Sequence, residues 1–187
     1  MRSDSWSEAF ACHGSAVSSF AAEAEAIEPA AWHLPRAAGK WSPALVTGHL
    51  IRSYEVLMDE LGGGPGMRIV LPAWKRLFLR FTLLPRLLRG GRFPGRVPAP
   101  PEIRPQEAPL DPPSGAALFR QRAREFEIAV ENARTRQPPA RITHAYFGAV
   151  SLAEAMLFCA RHVEHHQPQL HLDPTGIESR PGLPTGT

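Results

Sequence analysis

Apolar residues recur along this chain at intervals of three, four and seven in four separate stretches, the spacing of one face of an α-helix. The first stretch covers 5–28, where Phe10, Val17, Phe20 and Ala24 align in a segment rich in alanine and glutamate. The second covers 43–61. Ser42 is its expected N-cap and Pro43 its first helical residue, a position where the missing N–H is not needed. Its inward stripe is Leu45, Val46, His49, Ser53, Val56 and Leu57, and the glycine-rich run at 62–66 stops it. The third covers 114–134, with Leu118, Phe119, Arg122, Phe126, Ala129, Val130 and Ala133 at helical spacing before Gln137-Pro138-Pro139 ends it. The fourth covers 151–168. Ser151 followed by Glu154 forms a capping box, and Leu152, Ala155, Phe158, Cys159, His162, His166 and Gln169 fall on one side. The pattern predicts an all-α fold, a four-helix bundle.

The connections between these helices differ in character. Pro29, Pro35 and Gly39 make the first link, in which Trp32 reads as a packing residue between helices. The stretch 67–88 is apolar and cationic together, with Leu71, Trp74, Leu77, Phe78, Phe81 and Leu84 set among Lys75, Arg76, Arg80 and Arg86. It predicts a short inserted helix limited by Pro72 and Pro85. Such a helix covers one end of the bundle with its arginines solvated, or lies on a membrane or partner surface as a basic amphipathic element. Exposed Trp74, Phe78 and Phe81 would also suit a homodimer. From Arg89 to Pro113 eight prolines leave no room for a helix interior, so the chain crosses over in extended form. Residues 141–150 lead into the fourth helix and carry His144 on a loop or short strand-like approach. Residues 1–173 read as one domain, and 174–187 as a polar, turn-rich disordered tail.

Composition narrows the reading further. A chain of 187 residues is long enough for one domain with a real core. The net charge of +3 comes from dispersed arginines, which argues against nucleic acid as the partner. Cys12 and Cys159 lie far apart in helical patterns, which implies no disulfide framework and fits a cytoplasmic setting. The first ten residues lack the layout of a signal peptide, and no apolar run is long enough for stable membrane insertion.

The chemistry rests on histidine. His162 and His166, four apart, sit ~40° apart around a helix and one turn apart along it, both on the apolar side. His49 alone in a helical stripe is more often a core histidine than a ligand. Taken with His162 and His166 it completes three inward imidazoles on two helices, the ligand count of a catalytic metal site with one position open. Glu164 points ~200° away from His162. His144 and His165 are the nearest candidates for a general base, without a firm assignment. Cys159 reads as a small core residue. Pro168 cannot donate to the carbonyl of Glu164, so the last helix should end just past His166 with the pair still inside it.

Trp41-Ser42-Pro43 with Gly48-His49-Leu50, then His144-Ala145-Tyr146-Phe147-Gly148, then His162-Val163-Glu164-His165-His166 with Gln169-Leu170, resembles the DinB-like superfamily, in a branch of unassigned function. Two residues depart from the pattern: Ala145 stands where a proline is expected, and Pro168 where a less helix-breaking residue is expected. The resemblance implies a metal-binding four-helix bundle, often dimeric, with one histidine from the second helix and an HxxxH pair from the fourth. Those ligands fall on His49, His162 and His166. It further implies, for some members, group transfer or isomerisation with a low-molecular-weight thiol as partner. The three histidines themselves suggest a divalent ion, zinc or nickel foremost, whose open position suits a thiol-dependent transferase or a hydrolase acting on a small molecule. A bundle in which the ion is structural and nothing turns over is the alternative.

Overall fold

A computed structural model describes residues 3–37, 39–94, 99–105 and 109–171. The expected tail at 174–187 lies outside the described residues. Four long helices form the bundle: α1 (Ser3–Glu25), α3 (Pro43–Leu61), α5 (Pro112–Arg134) and α6 (Leu152–His166). Two further helices sit in the connections, α2 (Pro29–Trp32) and α4 (Ala73–Leu88). The strands β1 (Arg141–His144) and β2 (Gly148–Ser151) pair antiparallel as a hairpin, with Arg141 opposite Ser151 and His144 opposite Gly148. Among the described residues the protein is an all-α bundle with this one small sheet.

Local chemistry explains the helix starts. The Ser42 side chain accepts from the Leu45 N–H at 3.3 Å and Pro43 opens α3, which ends at Leu61 before the glycine run. At α6 both halves of the capping box are present: Glu154 N–H donates to Ser151 Oγ at 3.3 Å, and Ser151 N–H donates to Glu154 Oε2 at 2.7 Å. Ser151 is thus the last residue of β2 and the cap of α6. Past His166 the chain tightens into a 3-10 turn, Gln167–Leu170, as Pro168 requires.

Three elements differ from the sequence expectation. α5 begins at Pro112, with Asp111 as N-cap accepting from Ser114 N–H at 2.8 Å, because the first turn of a helix tolerates two prolines. The link after α1 contains the single turn α2. Its Trp32 is fully buried and donates from Nε1 to the Pro109 carbonyl at 2.8 Å. A Cβ on Gly115 would come within 2.6 Å of the Trp32 ring, so the glycine lets α5 approach it. Pro85 does not end α4; the helix runs on through Leu88, since a proline this near the C-terminus disturbs little of the ladder.

The core fills the space between the four long helices with Phe20, Leu50, Phe119, Phe126, Met156 and Val163, each at most 1% exposed. The close helix pairs are α1 with α6, α3 with α5, and α1 with α5. α3 and α6 share less direct packing, and the histidines lie along that edge. Among the described residues no helix is long and apolar enough to cross a membrane.

Candidate metal centre

His49 lies in the middle of α3, and His162 and His166 occupy the last two turns of α6. The fold brings all three together. His162 Nε2 is 3.1 Å from His49 Nε2 and 3.1 Å from His166 Nε2, and the three candidate ligand atoms lie within 4.8 Å of one another. The rings meet mostly edge to face, with centroids 4.7–5.0 Å apart. His49 is 1% exposed and His166 7%.

The opposite ring nitrogens decide the tautomers. His49 Nδ1–H donates to the Ile103 carbonyl at 2.6 Å, and a carbonyl can only accept. His166 Nδ1–H donates to Gln169 Oε1 at 3.0 Å. Both Nε2 atoms are then lone pairs aimed at His162 Nε2. A neutral His162 has one ring proton and can satisfy at most one of them. At least one buried lone pair is left facing nitrogen alone, an arrangement that a cation relieves.

Burial keeps the imidazoles neutral. It pushes His49 down to about 4, with the Ile103 carbonyl opposing and the nearby His165 reinforcing the shift. Burial, then the neighbouring His49, lowers His166 to about 3, opposed by Gln169. His162 is held well below the ordinary histidine value by burial first, then by His166 and His49. Neutral imidazole is the form that ligates a metal. Two donors 3.1 Å apart, on bonds of about 2.0–2.1 Å, subtend about 98° at an ion, between the octahedral and tetrahedral values. The angle and the neutral rings are compatible with one divalent ion at this cluster.

The surroundings are aromatic. Trp41 lies 5.0 Å from the His49 ring and stacks over His166 at 6.3 Å. Phe93 and Phe158 each stand 6.1 Å from His162. Beside His166, Arg36, Gly39, Lys40, Trp41 and Gln169 line an open cavity of about 240 Å³.

The other histidines and their neighbours do not join the three converging nitrogens, although the His165 ring lies 5.0 Å from that of His166. His165 is exposed and stacks on Phe93 at 4.8 Å, and His171 pairs with Glu23 at 2.8 Å. His144 accepts from the Tyr146 N–H at 3.2 Å, packs between Phe147 and Phe158, and is lowered to about 4 by burial. Glu164 is exposed and pairs with Arg161 at 2.9 Å. Cys159 is buried, and burial pushes its thiol up to about 12, which makes it a core residue rather than a nucleophile.

Sequence reasoning passed over three contributors. Ile103 acts through a backbone carbonyl, which leaves no side-chain signal. Trp41 reads only as part of a helix start, although it directly precedes the cap of a ligand-bearing helix. Phe93 sits in the proline-rich crossover, where no periodicity exists to place it. No curated protein and no solved structure matches this chain. The family model described as the DinB superfamily matches residues 16–170, a range that includes all three clustered histidines, and the chain belongs to that superfamily.

Proposed function

We propose that the protein is a metal-dependent enzyme in which His49, His162 and His166 hold one divalent ion, zinc or nickel foremost, through their Nε2 atoms. The observation that carries this is the convergence of three neutral imidazoles, two of which have their only proton committed to Ile103 and Gln169. Bound there, a divalent ion supplies Lewis acidity and lowers the pKa of a coordinated water or thiol. The chain's own groups do the positioning. The Ile103 carbonyl fixes the rotation of His49, Gln169 fixes that of His166, and Trp41 closes the apolar side of the pair. The cavity beside His166, with Arg36 and Lys40 on its wall, supports access by a small molecule. The reaction is a thiol-dependent transfer, with a low-molecular-weight thiol as co-substrate, or a hydrolysis.

The limited packing between α3 and α6 favours a second reading, in which the ion only staples those helices. The two readings part on turnover, while elemental analysis of protein purified without a polyhistidine tag tests both. The expected result is one divalent ion per chain, falling to background when any one of His49, His162 and His166 becomes alanine. His165→Ala and His171→Ala should retain it. Stoichiometric metal in His49→Ala would remove the site as drawn.

A further inference from the structure

The N-terminal half of α4 presents a face that no other described residue covers. Trp74, Leu77, Phe78 and Phe81 are 68%, 57%, 63% and 72% exposed and follow the i, i+3, i+4, i+7 spacing of one helical stripe. The helix behind them is firmly seated. Leu84 and Leu87 are buried, Arg161 Nε donates to the Leu88 carbonyl at 3.3 Å, and Arg80 pairs with Glu154 at 3.4 Å. Around the helix axis Lys75, Arg86 and Arg89 fall about 60–120° to one side of Trp74, and Arg80 and Arg76 about 120–160° to the other.

Along the chain the charge of this stretch is one-sided, Glu154, the partner of Arg80, coming from α6. From Met67 to Pro101 the chain has eight cationic residues and no Asp or Glu, which leaves thirteen of its 21 cations among all 18 of its acids elsewhere. Between α4 and the hairpin, Trp74, Arg76, Leu77, Arg80, Arg141 and Phe147 line an open cavity of about 610 Å³. Guanidinium and apolar side chains lining one cavity suit a phosphate group that carries a hydrocarbon chain.

We propose that α4 is a docking surface for anionic lipid bilayers, with the aromatic stripe entering the interface and the flanking cations meeting lipid phosphates. An aromatic, cationic helix with no acidic residue has the make-up of an element lying in a membrane surface. A second copy of the chain is a poorer occupant. A two-fold contact over α4 sets the same cationic face on both sides, with no acid in the whole stretch to answer it. The inference is independent of the histidine cluster, whose two α6 members lie toward the other end of that helix from Glu154.

Co-sedimentation of the full chain with phosphatidylcholine vesicles, plain or mixed with phosphatidylglycerol, tests it. Binding should be on the order of tenfold tighter to the mixed vesicles and should weaken with added salt. The pair Phe78→Ser with Phe81→Ser, and separately Lys75→Gln with Arg76→Gln, should each lower it by a similar factor, with circular dichroism showing an unchanged fold. His49→Ala should bind as wild type does. Failure to bind the mixed vesicles, or undiminished binding by the phenylalanine pair, would overturn the proposal. A wild-type dimer that the phenylalanine pair turns into monomer would overturn it too, and assign the face to a second copy.

Discussion

Two clusters of buried histidine among the described residues are resolved in opposite ways. His13 on α1 is fully buried, yet both of its ring nitrogens meet oxygen: Nδ1 is 2.7 Å from Glu127 Oε1 on α5, and Nε2 is 2.8 Å from the Tyr54 hydroxyl on α3. That network is complete without any ligand and ties three helices together. In the other cluster, His49 and His166 each satisfy one nitrogen with oxygen and turn the other toward His162. Burial alone therefore does not mark a ligand. A buried imidazole with oxygen on both sides is a finished core element, whereas one with a lone pair facing only nitrogen is a candidate site.

Metal addition should separate the two clusters most strongly. If the three-histidine cluster binds an ion, saturating divalent metal at about a thousand times its dissociation constant stabilises the fold by about 4 kcal/mol. For a chain of this size that raises Tm by on the order of 10 °C. Thermal unfolding of metal-stripped protein should show the rise in wild type and in His13→Ala, but not in His162→Ala. A rise in His162→Ala would put the stabilising ion elsewhere.

Acid should then strain the open cluster in the metal-free protein. His49 is lowered from an ordinary 6.5 to about 4 by burial. Below pH 6.5 the unfolded chain takes up a proton that the folded chain refuses, so stability is full above that value and falls down to pH 4, levelling off beneath it. His49 alone contributes a loss of about 3 kcal/mol across that window. Denaturant titrations from pH 7 to pH 4 should show a smaller decline in His49→Ala, and equal slopes would contradict the assignment.

The smallest effect belongs to the closed network. His13→Ala leaves the buried Tyr54 hydroxyl without its partner and should cost about 2 kcal/mol. Glu127, whose side chain is 30% exposed, recovers water and adds little. Urea unfolding gives the loss, and metal content should stay at the wild-type level. A His13→Ala protein that lost its metal would mean that the two clusters are one system.

Helix identity was largely legible because it rests on short-range rules. The bounds of α3 follow from Ser42, Pro43 and the glycine run, and the start of α6 from Ser151 and Glu154. The errors came where local rules give way to partners distant in the chain. Pro112 and Pro113 look like crossover but open α5, whereas the loop or short strand-like approach read for 141–150 proves to be a hairpin whose strands are too short for alternation to define. His13 stands in the apolar stripe of α1 between Phe10 and Val17, so its burial was readable even though its partners were not.

By itself the sequence determined that four amphipathic helices form and that His49, His162 and His166 point inward, because helical periodicity and capping act over a few residues. Tertiary structure alone decided what those imidazoles meet. Ile103 lies 54 positions from His49, and Glu127 lies 114 positions from His13. Such pairings leave no periodic trace along the chain, since they depend on how whole helices and the crossover pack. The same packing separates a lone pair left facing nitrogen from a ring with oxygen on both sides, and so separates a candidate metal ligand from a core histidine.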